Sequence, residues 1–142
     1  MKFELHPNLQ KKIPIIDLSL CKVLLEDDEF YPWLFLVPRI NHVTKLVDLN
    51  FENQTLLLKE LEVAQRILIE LFNPDQINVA AIGIKTPQLH IHVIARHQND
   101  PAWPHTVWDH PVRKKLSEEE KEIRSLQIKK CFEDARFKDF KI

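Results

Sequence analysis

The chain has 142 residues, enough for one domain, and its 20 basic and 21 acidic side chains leave a net charge of −1. That balance offers no electrostatic surface for nucleic acid or membrane. Gly83 is the one glycine, which excludes a P-loop (two glycines) and a dinucleotide fingerprint (three) by count, so any phosphate chemistry must come from side chains or ordinary strand and loop backbone.

In chain order, Cys21–Leu25 is apolar and β-branched enough for a strand and runs into the polar turn Glu26–Glu29. Trp33–Val37, an apolar run between Pro32 and Pro38, is too short for a helix and reads as a buried strand antiparallel to the first. Asn50 is placed as an N-cap. Leu57, Leu61, Ala64, Leu68 and Leu71 then follow at helical spacing, giving an amphipathic helix over 51–72 that ends near Asn73-Pro74. Ile77–Ile82 and Gln88–Ala95 read as two further strands, with Gly83 and Pro87 marking the turn between them. A loop rich in His, Trp and Pro spans His97–Val112. A charged helix follows at Ser117–Phe132, where Ser117 and Glu120 fit a capping box; its outer limits are about 117–135. Short-turned strands with two helices predict an α+β domain spanning 1–142, with its core in about 3–110 and an antiparallel sheet. Cys21 and Cys131 have no CxxC pairing and read as small hydrophobes in a reducing compartment. The N-terminal stretch has no apolar signal region and no segment is long and apolar enough to span a bilayer, so the expected address is the cytoplasm.

The informative stretch is Gln88-Leu89-His90-Ile91-His92-Val93-Ile94. On a strand, Gln88, His90 and His92 share one face, and Leu89, Ile91 and Val93 share the core face. Three readings of the pair compete: solvated histidines, a metal site whose third ligand would come from His97, Asp100, His105 or His110, and covalent phosphate chemistry, since imidazole is both nucleophile and proton carrier near neutral pH.

The stretch resembles the histidine-triad (HIT) signature His-φ-His-φ-His-φ-φ, with Gln88 in place of the first histidine. Val23-Leu24-Leu25-Glu26-Asp27, Trp33-Leu34-Phe35-Leu36-Val37-Pro38-Arg39, the long helix and the histidine strand follow the family's order. Pro101-Ala102-Trp103-Pro104 with Val107-Trp108 looks like a bacterial branch carrying that glutamine. The resemblance implies a HIT-like α+β fold of about five strands and a homodimer. It implies a nucleotide-like substrate attacked at its α-phosphorus by His90, with a nucleotidyl-histidine that water hydrolyses. His92 would bind the phosphate and Gln88 would join the supporting network, able to donate and accept but not to titrate. Asp27 is the implied ribose ligand, Lys85 and Thr86 are placed near the leaving group, Arg96 near a phosphate oxygen, and Trp103 or Trp108 over the base. No cofactor or metal is implied. The Asn-Glu-Gly of phosphoramidase-type members is absent from Asn78–Pro87, Ile84 stands where the glutamine branch commonly has asparagine, and His42 lies one residue off the family's extra histidine. A non-catalytic nucleotide-binding module and a metal protein using His90 and His92 are the alternatives.

Overall fold

The computed structural model describes residues 2–138. A helical turn, α1 (Pro7–Gln10), leads into strands β1 (Ile13–Asp17), β2 (Cys21–Leu25) and β3 (Trp33–Pro38). Helix α2 (Phe51–Phe72), strands β4 (Gln76–Ala80) and β5 (Ile91–Arg96), helix α3 (Glu118–Glu133) and the short α4 (Ala135–Lys138) complete the order. The strands form one sheet in the order β1-β2-β3-β5-β4, each neighbouring pair antiparallel. The α+β class and the antiparallel sheet of five strands are as expected.

β3 and β5 lie at the centre and every residue in them is buried. Each face of the sheet has its own cover, which is why these strands read as near-continuous apolar runs. One face carries Val23, Leu25, Leu34, Leu36, Ile91 and Val93 against Leu57, Ala64, Ile67 and Leu68 of α2 and Ile128 and Phe132 of α3. The other carries Leu24, Trp33, Phe35, Val37 and Ile94 under Leu9 of α1 and Tyr31, Ala102 and Val107 from loops. The long helices thus occupy one side only. The opposite side is closed by the short α1 and by chain of irregular structure, and that is where the histidines emerge.

Local signals explain the helix limits. The Asn50 side chain accepts from the Asn53 amide at 2.8 Å, and α2 stops at Asn73, which adopts the left-handed conformation (φ 44°, ψ 57°). The Ser117 side chain accepts from the Glu120 amide at 3.1 Å and caps α3, which ends where Asp134 turns extended, one residue past the predicted Phe132 and short of the outer limit at 135.

One strand is added and two strand limits are corrected. β1 has no alternating pattern strong enough to announce it, and Pro14 argues against a strand; β1 is an edge strand with its register shifted between Pro14 and Ile16, where proline is tolerated. β4 ends at Ala80 rather than Ile82. The histidine strand begins at Ile91 rather than Gln88, because the last β4 residue, Ala80, lies opposite His92, leaving the chain ahead of Ile91 without a partner on that side. Leu89 donates instead to the Val43 carbonyl at 2.9 Å. Gly83 has φ of 61°, the left-handed region, within the turn that separates the two strands.

Candidate active site

β5 places His92, and the residues before it place His90. Both rings are buried, with centroids 5.0 Å apart and planes at 69°. The register sets Phe35 of β3 opposite His92, and Trp33 one pleat along on the same face. Their rings form the floor: Phe35 lies 6.1 Å from His90 and 5.0 Å from His92, and stacks on Trp33 at 5.9 Å.

Two hydrogen bonds give the imidazoles opposite tautomers. His90 Nδ1 lies 2.6 Å from the Gln88 carbonyl, which can only accept, so Nδ1 carries the proton and Nε2 keeps a free lone pair. The Trp33 indole N–H donates to His92 Nδ1 at 3.1 Å, so the His92 proton sits on Nε2. Burial is the main force keeping both rings neutral. It holds His90 below the usual imidazole range, with the Gln88 carbonyl opposing and Lys12 and His6 reinforcing. It pushes His92 down to about 3, aided by His90 and Lys12. One ring therefore offers a lone pair and its neighbour an N–H donor, without any charge on either.

The rings open into a cleft of about 770 Å³, lined by Trp33, Trp108 and Arg113 and by Asn8, Lys12, Lys85 and Thr86. Trp108 stands edge-on to His92 at 5.0 Å and to Trp33 at 5.8 Å. The Arg113 guanidinium lies 5.2 Å from the Trp33 ring centre. A second hollow, of about 640 Å³, lies on the helical side near the β1–β2 turn. Its buried acid, Glu60, is taken up by the amides of Leu20 and Cys21, both at 2.9 Å, so that hollow offers no reactive group comparable to the histidines.

Among the residues singled out in the sequence, His90, His92, Lys85 and Thr86 are brought to the cleft. The Gln88 side chain is not. It accepts from the His6 amide at 2.8 Å and donates to the Glu4 carbonyl at 2.9 Å, buckling the N-terminal segment to the chain ahead of β5. Of the three, His90 and His92 line the cleft, and Gln88 lines a neighbouring hollow with His6 and His42 because the N-terminal segment occupies the place beside it. Thr86 Oγ1 is held by Asn8 at 3.0 Å. Asp27 faces the start of α3, where it accepts from the Leu116 amide at 2.9 Å and lies 3.5 Å from Lys121; the neighbouring acid Glu26 lines the cleft instead. Arg96 is on the histidine face but beyond Ile94. Its buried guanidinium pairs with Asp100 at 2.8 Å, bonds Asn78 and the His105 carbonyl, and faces the Trp103 ring at 5.9 Å. Arg96 and Trp103 therefore brace the loop after β5 rather than line the cleft.

His97 bonds the Phe72 carbonyl at the end of α2 at 2.8 Å, and His105 and His110 are exposed. His42 takes a left-handed conformation (φ 65°) and lines a separate hollow with His6 and Gln88. Among the described residues no group of three His, Cys, Asp or Glu side chains is placed to hold a metal ion. Sequence reasoning missed Asn8, Lys12, Glu26 and Arg113, and read Trp33 as core or interface only. A strand register would have found Trp33, one pleat from the partner of His92; the others reach the site from the short α1 and from loops and carry no periodic signal.

A neutral, oppositely tautomeric histidine pair on an antiparallel sheet agrees with the family comparison: the HIT domain pattern matches residues 9–99, and the chain belongs to the HIT domain family. Among solved structures, a histidine triad protein from Bradyrhizobium japonicum is 37% identical, with a TM-score of 0.88 over 92% of this chain and 98% of that one. One from Marinobacter aquaeolei is 36% identical, with a TM-score of 0.88 over 94% and 98%. One from Sinorhizobium meliloti is 34% identical, with a TM-score of 0.86 over 90% and 96%. Comparison with curated proteins gives no match.

Proposed function

We propose that this chain is a nucleotide-binding hydrolase or nucleotidyl transferase of the glutamine-bearing HIT branch, acting at an α-phosphate through a covalent nucleotidyl-histidine. The observation that carries the reading is the His90 ring: its Nδ1–H is held by the Gln88 carbonyl, and its Nε2 lone pair is free. Nε2 attacks phosphorus; the N–P bond forms as the bond to the leaving group breaks, and the leaving group takes the bonding pair and a proton from solvent. The His92 Nε2–H donates to a phosphate oxygen as negative charge builds there. Water then attacks the phosphorus opposite the N–P bond and gives up a proton to solvent; the N–P bond breaks with its electron pair returning to Nε2, and neutral His90 is restored.

Lys85 and Thr86 stand where the leaving group would pass, and Trp108 is placed to cover a base. The Asp27 carboxylate is engaged with α3, so ribose contact would require it to exchange those partners. The protein is proposed to be cytoplasmic and to act as a homodimer through the open edge of β4, where Val79 is exposed. No described helix is long and apolar enough to cross a membrane.

The test is turnover of an adenosine or guanosine phosphoramidate. His90→Ala is expected to abolish it, and wild type to yield a trappable adduct of one nucleotide per chain. An unreactive wild type removes the enzyme reading for that substrate class. A second reading, nucleotide binding without chemistry, is favoured by one observation: Gln88 cannot titrate and its side chain does not reach the cleft. Calorimetric binding of a nucleotide with no turnover would select it. Stoichiometric zinc, nickel or copper on elemental analysis would instead revive the metal reading.

A further inference from the structure

We infer that Lys12 is a phosphate-binding cation of this cleft and that Glu26 is its resting counter-ion, displaced when a phosphate group enters. The inference rests on the nucleotide reading above and adds to it a residue outside the histidine motif. Lys12 stands between α1 and β1, and its Nζ donates to both Glu26 oxygens, at 2.9 and 2.8 Å. The same Nζ lies 5.1 Å from the centre of the Phe35 ring, the ring that also floors His90 and His92. The lysine, the acid and both histidines line one cleft. β2 and β3 fix the position of Glu26, whose amide donates to the Trp33 carbonyl at 2.8 Å.

The need for such a cation follows from the state of the histidines. Both imidazoles are neutral, so they offer a lone pair and an N–H but no charge to a phosphate leaving water. An anion entering a half-enclosed site without a compensating cation loses much of its hydration with nothing in return. Arg113 is already 3.6 Å from buried Asp28 and lies over Trp33. Lys11 and Lys85 also line the cleft but are exposed, Lys85 on the turn after Gly83. Lys12 is the cation whose position is shared with the histidine floor.

The pair is built to exchange. Its side chains are 26% and 17% exposed, so the ion pair is partly solvated and its partners can exchange with water. A phosphate monoester presents more oxygens and up to two negative charges, and charge-assisted bonds of that kind are the stronger ones. The lysine stem is flexible enough to swing between partners. Glu26 keeps the Asp27 amide, at 3.2 Å, when the ammonium leaves. The positive charge of Lys12 also helps to hold both rings neutral, in agreement with its nearness to them.

The experiment is calorimetric titration of wild type, Lys12→Gln, Lys12→Arg and Glu26→Gln with AMP, adenosine and inorganic phosphate, with thermal unfolding as the folding control. Lys12→Gln is expected to weaken AMP about tenfold while leaving adenosine unchanged, Lys12→Arg to recover part of the loss, and Glu26→Gln to tighten AMP severalfold. AMP binding of wild-type strength in Lys12→Gln would overturn the inference and leave the nucleotide reading intact. Inorganic phosphate bound through Lys12, with no binding of AMP, would keep the inference and remove the nucleotide reading. Wild type that binds neither would overturn both.

Discussion

Opposite proton positions on two adjacent imidazoles come from two donors and acceptors of different origin, a backbone carbonyl for His90 and an indole N–H for His92. Trp33→Phe deletes the indole donor and leaves a buried Nδ1 without a partner. The expected loss is about 2 kcal/mol of stability, read by urea unfolding, with the Nδ1–H tautomer of His92 becoming populated in imidazole nitrogen spectra. The neutral rings also set a pH dependence. Folded His92 has its pKa pushed down to about 3 from 6.5, so below about pH 6.5 the unfolded chain binds a proton that the folded chain does not. Stability therefore falls as pH drops through that window, by up to roughly 1.4 kcal/mol per pH unit for one such group, and is unaffected by this group above it. His92→Gln is expected to show a shallower loss than wild type between about pH 6.5 and about pH 5, measured by urea midpoints. At this scale the motif was legible, because His90 and His92 are named by residue type and spacing. Trp33 was legible only as an apolar residue, since its bond to His92 depends on which pleat of β3 faces β5.

Among the elements, the N-terminal segment is the one whose role comes from packing. Gln88 joins two of its backbone groups, and Asn8 joins it to Thr86. Gln88→Ala leaves the His6 amide and the Glu4 carbonyl without that partner. The expected cost is about 1 kcal/mol, expressed locally: amide exchange at His6 quickens severalfold while β5 amides stay protected. Unchanged exchange at His6 would mean that the segment is held by Leu9 packing alone. The helices were legible because caps and 3.6-residue spacing are local properties; Asn50 and Ser117 act as caps where the sequence places them. β1 was not, because an edge strand with a proline and an irregular register has no period-2 pattern to read. The start of β5 was misjudged for a related reason, since a ladder ends where its neighbour ends.

For the whole molecule, the two faces of one sheet have separate tasks. Helices α2 and α3 bury the larger core on one side and leave the other side to α1 and loops, so His92 on a fully buried central strand and His90 just ahead of it open to a cleft. β4 has β5 on one side and nothing paired on the other among the described residues. Val79, 44% exposed on that strand, is the place to test the proposed homodimer. Val79→Lys puts a charge on the edge and is expected to convert a sedimenting dimer to a monomer; a monomeric wild type would remove the dimer reading. By itself, the sequence determined the α+β class, both long helices, the two central strands, and the position of the histidine pair. Each of these follows from contacts within a few residues or from a periodicity of two or 3.6. The tertiary structure alone decided which tautomer each ring adopts, which acid and which lysine share the cleft, and that Arg96, Asp27 and the Gln88 side chain are engaged elsewhere. Those depend on strand register and on loops meeting across the sheet, and neither leaves a trace in local spacing.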